Sequence, residues 1–266
     1  MQQSTAIVTG ASEGLGKSFA IELGKRGINL FMVALPGTGL PDLAAYIRKN
    51  FDVYADILET DLTDVESYPR IFDHLATRQV TANILINNAG LGNWSWFNDK
   101  SPGFYKTQIE LNVITPVLLT RMFLQQADHD VTSYILNVGS LGGLFVVPQK
   151  QVYGATKSFI RYFTKCLQLE LSGSNVRISL LSPGGINTKP ELLVLNNKLK
   201  GLSAATILEA EDVARIAVDG LLKGKKEIIP GFINRLMVIL DSILPGFLKQ
   251  AIIKSRLKII LKNQWS

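Results

Sequence analysis

An α/β fold built on a mostly parallel sheet is predicted from three features of the sequence. Short apolar runs alternate with helical patterns, a glycine-rich turn follows the first run directly, and polar motifs recur at the carboxyl ends of later runs. At 266 residues the chain can bury a substantial core, and with 47% hydrophobic and 19% charged residues its composition excludes a disordered protein. No internal repeat or linker interrupts the alternation, so one domain is expected over residues 1–230, followed by an apolar and basic helical extension over 231–266 packed on it.

The first strand, Thr5 to Thr9, runs into Gly10, Ala11, Ser12, Glu13, Gly14, Leu15 and Gly16, and a helical pattern carrying Phe19, Ala20, Ile21 and Leu23 follows. Glycine admits a tight turn and a close backbone approach, and a helix N-terminus offers unpaired N–H groups and a positive dipole end to a pyrophosphate. The G-x-x-x-G-x-G spacing differs from the standard G-x-G-x-x-G fingerprint and on its own is equally a plain turn. The second strand, Asn29 to Ala34, ends in Leu35, Pro36, Gly37, Thr38 and Gly39. An acid at that point would bond the ribose diol of NAD, and an Arg would accept the 2′-phosphate of NADP, but neither is present. Asp42 suits the first turn of the next helix. The third strand, Val53 to Leu58, leads to Asp61, Leu62 and Thr63, where Asp61 either contacts an adenine or caps a helix. The fourth, Asn83 to Ile86, ends in Asn87, Asn88, Ala89 and Gly90, which supply amides in a crevice or form a turn. A long helix from about 103 to 127 carries Asn112 among apolar neighbours, where an amide needs either a backbone partner or a placed role.

The fifth strand, Tyr134 to Gly139, delivers Ser140, and the segment to Lys157 holds a hydroxyl, a phenol and an amine at Ser140, Tyr153 and Lys157. Tyr153 and Lys157 fall on one helix face, and an ammonium one turn away favours the phenolate, drawing a pKa of ~10 toward neutral. Tyr153 is therefore a candidate general acid or base, with Ser140 placed to hold a carbonyl oxygen. Val176 to Leu181 is a sixth strand and ends in Ser182, Pro183, Gly184, Gly185, Ile186, Asn187 and Thr188, again a crevice signal. Residues 187–208 read as a lid or a variable loop, 211–222 as a helix and 227–229 as a short last strand. Residues 232–262 hold two apolar segments around Pro245 and Gly246, studded with Arg235, Lys249, Lys254, Arg256, Lys258 and Lys262. They suit either an interfacial helix pair making peripheral membrane contact or helices covering a substrate mouth or subunit contact.

The net charge of +6 lacks a basic run interleaved with aromatics, so no nucleic-acid partner is expected. His74 and His129 lie far apart, giving no metal site, and the lone Cys166 reads as a buried structural thiol. With the first strand so close to Met1, no signal peptide is expected, which points to the cytoplasm, with the membrane surface as a further option.

Taken together, the motifs resemble the short-chain dehydrogenase/reductase family over roughly residues 4–230: TGASEGLG at Thr9 to Gly16, NNAG at Asn87 to Gly90, PGGINT at Pro183 to Thr188, and the Ser140, Tyr153 and Lys157 triad with Asn112 as a fourth catalytic position. The resemblance implies a doubly wound, Rossmann-type sheet of seven strands with helices on both faces, often assembled as a homodimer or homotetramer through helices near 103–127 and 151–172. It implies an oxidoreductase passing a hydride between NAD(P)(H) and a carbonyl or secondary alcohol, with Tyr153 as general acid/base. Lys157 would lower the phenol pKa and bond the nicotinamide ribose, and Asn112 would hold a water on the proton path. The cofactor would contact Gly10, Ser12, Glu13, Gly14, Leu15, Gly16, Asp61, Leu62, Asn88, Ala89, Gly90, Tyr153, Lys157, Pro183, Gly184, Ile186 and Thr188. The hydrophobic C-terminus is similar to that of reductases of ketosteroids or long-chain 3-oxoacyl compounds, so an apolar substrate is expected. Glu13 would repel a 2′-phosphate, whereas an anion nest at Gly37 to Gly39 would accept one; a slight preference for NADP(H) over NAD(H) follows from the nest. The alternative is a non-catalytic dinucleotide-binding protein that docks through its tail.

Overall fold

The computed structural model describes residues 4–128, 130–188 and 205–264. Its strands are β1 (Thr5–Thr9), β2 (Asn29–Ala34), β3 (Ala55–Glu59), β4 (Ile84–Asn87), β5 (Ser133–Val138), β6 (Val176–Leu181), β7 (Gly185–Asn187), β8 (Ile207–Glu209) and β9 (Glu227–Ile228). Seven form a parallel sheet of order β3-β2-β1-β4-β5-β6-β9, and β7 and β8 pair separately. The α-helices among the described residues are α1 (Gly14–Lys25), α2 (Leu40–Asn50), α3 (Ser67–Thr77), α4 (Pro102–Ile109), α5 (Thr115–Gln126), α6 (Gln151–Glu170), α7 (Ala210–Leu222), α8 (Phe232–Ile243) and α9 (Gly246–Gln264). The seven-stranded, doubly wound arrangement is the one expected.

The strands are continuously apolar because both faces are covered. Ala6, Val8, Leu30 and Met32 join a core with Phe19, Leu23, Ile47, Val213 and Val218, under α1, α2 and α7. Their neighbours Ile7, Phe31 and Val33 point the other way and join Ile71, Phe72, Leu119 and Phe123, under α3 and α5. Successive strand residues face opposite sides, and each fully buried side chain such as Phe19 or Phe31 contributes about 2–3 kcal/mol. Strand order reverses between β1 and β4, which opens the ligand crevice at their carboxyl ends.

A polar ladder crosses this apolar sheet. Asn87 and Asn137 are register partners on β4 and β5, and Asn87 Nδ2 donates to Asn137 Oδ1 at 2.8 Å and to Thr120 Oγ1 at 3.0 Å. Asn137 Nδ2 in turn donates to Thr164 Oγ1 at 3.0 Å, joining α5, both strands and α6.

Several expected boundaries move, each for a local reason. The third strand starts at Ala55, because Tyr54 N–H is taken by the Asn29 side chain, and it continues to Glu59. The single helix over 103–127 is two helices joined by a π-turn at Glu110–Ile114. Pro116 has no N–H to give the carbonyl four residues back, that of Asn112, and Thr115 N–H bonds Glu110 O instead. Cys166 is half-buried, not buried, because the outward side of α6 also carries exposed Phe159, Tyr162 and Leu169. Of the segment expected as a lid or variable loop, residues 189–204 lie outside the described residues, as does His129; at its two ends β7 and β8 pair in parallel. His74 packs on Phe31 and bonds Asp56 at 2.8 Å.

Burial pushes the Asp56 carboxyl up, but hydrogen bonds from His74, Ile57 N–H and Tyr54 together outweigh it and hold it below the usual range. Its stabilising contribution is present above the unfolded value of ~3.9 and is lost as pH falls through the lower folded value. Asp56→Asn should cost about 1–2 kcal/mol at neutral pH. In denaturant titrations the gap to wild type should close on acidification, and a gap independent of pH would refute this account.

Candidate active site

The crevice begins where β1 meets α1. Gly10 and Gly14 adopt φ of +63° and +53°, and a Cβ on Gly16 would lie 1.9 Å from Gly10 O, so only glycine lets the helix start against the strand end. Thr9 Oγ1 accepts the N–H groups of Asn88 and Ala89, each at 3.0 Å, and Asn88 Nδ2 donates to Thr9 O at 2.9 Å and Gly10 O at 3.2 Å. The end of β4 is thereby lashed to the glycine turn. Thr188 closes the other side, its Cβ 3.0 Å from a Cβ built on Gly14. A bare-backbone cradle at the N-terminus of α1, whose first turn carries no acidic residue, fits a dinucleotide pyrophosphate.

The remaining expected cofactor residues divide by what they touch. Ser12 is half-buried and Glu13 exposed with extended backbone, both at the cradle, whereas the side chains of Leu15 and Leu62 are core and can offer only backbone. Asp61 does not cap α3, which starts after Glu66; its Oδ1 accepts Thr63 N–H at 2.8 Å and Thr63 Oγ1 at 2.9 Å. Pro183 O accepts Leu141 N–H at 2.9 Å, tying that motif to the Ser140 turn. Gly184 abuts Thr206 and Asn234, and Ile186 lies in β7 against the core. The loop after β2 differs from expectation: Gly37 N–H already donates to Glu59 Oε1 at 3.1 Å. One donor of the nest on which the NADP(H) preference rested is therefore already held by a carboxylate.

Along the same edge, β5 delivers Ser140, whose Oγ accepts Gly142 N–H at 3.0 Å in a short 3-10 turn over Leu141–Gly143. The first turns of α6 carry Tyr153 and Lys157. Glycines flank the Tyr153 ring, since Cβ atoms built on Gly92 and Gly142 would stand 3.4 and 3.6 Å from it. Lys157 Nζ donates to Val138 O at 2.8 Å and lies 5.9 Å from the Tyr153 ring centroid. Gly90 sits between Asn112 Oδ1 and Lys157 Nζ, 2.9 and 3.7 Å from where its Cβ would be. Asn112, 1% exposed, holds the Leu91 backbone from both sides, accepting its N–H at 2.8 Å and donating to its carbonyl at 3.0 Å, and it also donates to Thr156 Oγ1. Its side chain thus ties the Leu91 backbone to α6.

Electrostatics differ from the simple expectation. Burial pushes the Tyr153 phenol up, and a hydrogen bond with Ser140 pulls it partly back. Burial also lowers Lys157, to about 8. Sequence reasoning missed two neighbours. Lys150 Nζ stands 4.7 Å over Trp94 and 5.2 Å over Tyr153, with burial lowering its pKa. Gln149, at φ +68°, accepts from the Trp94 indole and from Ser95 N–H, clasping the 91–99 loop beside the tyrosine. The i, i+3 spacing of Lys150 and Tyr153 was the available signal.

Fold and motif order define a class, a doubly wound α/β protein with a glycine cradle and a Ser-Tyr-Lys cluster along one sheet edge. The chain belongs to the short-chain dehydrogenase/reductase family, whose profile, described as short chain dehydrogenase, matches residues 4–193. It is 31% identical over 188 residues to very-long-chain 3-oxoacyl-CoA reductase-A of Danio rerio, covering 69% of this chain and 58% of that protein. It is 28% identical over 234 residues to 17-beta-hydroxysteroid dehydrogenase type 3 of Mus musculus, covering 87% and 75%. The chain thus spans about three fifths of the length of the 3-oxoacyl-CoA reductases it matches. Among solved structures, a short-chain dehydrogenase from Sphingobium yanoikuyae in complex with NADPH superposes with a TM-score of 0.75 at 26% identity, covering 91% and 97%.

The buried amine gives a test. Unfolded, Lys157 keeps its proton up to ~10.4, and folded it loses it at about 8, so burial penalises the fold fully below about 8 and less as pH rises. Relative to wild type, Lys157→Met should be most favoured at pH ~7 and lose that advantage toward pH ~10. Denaturant midpoints across this range should show the trend, and a flat difference would mean the amine is not desolvated.

Proposed function

We propose that the chain is an oxidoreductase moving a hydride between a nicotinamide dinucleotide and the carbonyl or secondary alcohol of an apolar substrate, with Tyr153 as general acid/base. The observation that carries this is the meeting of Ser140, Tyr153, Lys157 and Asn112 on the sheet edge that also holds the glycine cradle. The cofactor, when bound, supplies or takes up the hydride; the chain handles the proton. In reduction, Tyr153 Oη gives its proton to the carbonyl oxygen, which the Ser140 hydroxyl holds, and the Lys157 ammonium stabilises the phenolate left behind. A phenol pushed up by burial is fully protonated before reaction, as a proton donor should be. In oxidation the same atoms run in reverse.

Two observations support a bulky apolar substrate. Trp94, Phe97 and Val146 stand exposed on the segments beside Tyr153, and the relatives named above act, by their names, on long acyl and steroid compounds. Exposed Ile109, Ile114, Phe159, Tyr162 and Leu169 on the outer helices support assembly as a homodimer or homotetramer.

Peripheral membrane contact through the tail has its own support. No helix among the described residues is long and apolar enough to cross a membrane. Yet α8 exposes Phe232, Leu236, Ile239, Leu240 and Ile243 at helical spacing, continuing to Phe247 and Ile252 on α9, with exposed Arg235 and Lys254 nearby. Asn234 on the opposite face, 1% exposed, donates to Thr206 O and Pro230 O and anchors α8 beside Gly184 at the crevice.

Tyr153→Phe should lower kcat about 10²–10⁴-fold while leaving dinucleotide affinity nearly unchanged. Activity assays on apolar ketones check this, and retained turnover would remove Tyr153 from its role. Replacing Phe232, Ile243 and Phe247 together by Gln should reduce co-sedimentation with anionic vesicles without loss of folded signal; undiminished sedimentation would assign the stripe to subunit packing.

A further inference from the structure

The nucleotide site lacks an acid after β2, but the structure supplies one from the neighbouring strand. Register pairs Ala34, the last residue of β2, with Glu59, the last residue of β3. Thr60 N–H donates to Ala34 O at 2.8 Å, which holds the carboxyl ends of the two strands together. From there the Glu59 carboxylate reaches the loop after β2 and accepts Gly37 N–H at 3.1 Å. Gly37 and Gly39 take φ of +74° and +77°, and a Cβ on either meets nothing within 4 Å. Their glycine character therefore serves the left-handed turn that aims the Gly37 N–H at Glu59. Space above the loop stays open, and Glu59 itself is exposed.

In doubly wound dinucleotide folds, the acid that reads the adenosine ribose stands at the end of the second strand, where it accepts the 2′-hydroxyl of NAD. A phosphate there needs donors and positive charge. Here the Gly37 N–H is already satisfied by a carboxylate, and an incoming 2′-phosphate would meet that negative charge.

Building on the proposed nicotinamide dependence, we infer that Glu59 is the specificity-determining acid of the nucleotide site, selecting the ribose diol of NAD(H) and rejecting the 2′-phosphate of NADP(H). The role usual for a β2 residue is carried by a β3 residue one strand over. Glu59→Gln keeps an acceptor for Gly37 N–H, so the loop should hold its shape while the charge is removed.

The test is a parallel fluorescence titration with NADH and NADPH of the wild type, Glu59→Gln and Glu59→Ala, with circular dichroism as the check on folding. The wild type should bind NADH at least about tenfold more tightly than NADPH, and Glu59→Gln should narrow that ratio by about tenfold or more, mainly by strengthening NADPH. Glu59→Ala should narrow it too. Tighter NADPH binding by the wild type, or an unchanged ratio in both variants, overturns the role of Glu59 and leaves the nicotinamide reading intact. Binding of neither nucleotide by the folded wild type overturns that reading and this inference together.

Discussion

A buried ammonium must find an acceptor, and the geometry of the active edge follows from how Lys157 finds one. Its Nζ is held by Val138 O at 2.8 Å, on the last residue of β5. Ser140 is only two residues further on, so the bond that satisfies the amine also fixes the hydroxyl relative to the tyrosine one helical turn before the lysine. Close approach is then obligatory. A Cβ on Gly143 would stand 2.8 Å from Lys157 O, and one on Gly154 would stand 2.9 Å from Gly142 O. The glycines around the site are the steric counterpart of one desolvated charge.

Most of the fold was legible in the sequence because a sheet covered on both faces leaves an unmistakable trace, runs such as Ala6-Ile7-Val8 and Leu30-Phe31-Met32-Val33 with no polar alternation. The meeting of Ser140, Tyr153, Lys157 and Asn112 was legible for a different reason: their motifs follow the glycine turn in a fixed order along the chain. Glu59 was not legible. A single exposed acid at a strand end has no periodicity, and its meaning depends on a cross-strand register that the sequence does not state. The break before α5 was missed although Pro116 announces it, since the apolar pattern runs through both halves. The phenol's response was misjudged too: spacing showed the nearby charge, but burial acts on Tyr153 in the opposite direction and prevails.

The C-terminal helices show where pattern reading stops. Their mixture of Leu, Ile and Lys suits a wet interface or a subunit seam equally well. What distinguishes them structurally is a single polar side chain: Asn234 donates to two backbone carbonyls, that of Thr206 just before β8 and that of Pro230 just before α8. It holds the start of α8 next to the motif after β6, so whatever meets the exposed stripe of α8 is mechanically connected to the edge where the chemistry sits.

The Asn87–Asn137 pair has a consequence for how the sheet is assembled. β4 and β5 are parallel and joined through two helices, so they must find each other across a long excursion of chain, and their apolar residues alone would tolerate a sliding match. Displacing either strand along the other would strand two amides in hydrocarbon without each other's company. The pair works as an indexing pin: it makes one alignment acceptable among many greasy ones. Because Val138 and Ser140 lie just beyond Asn137, the alignment it enforces also sets the height at which the Ser140 hydroxyl leaves the sheet.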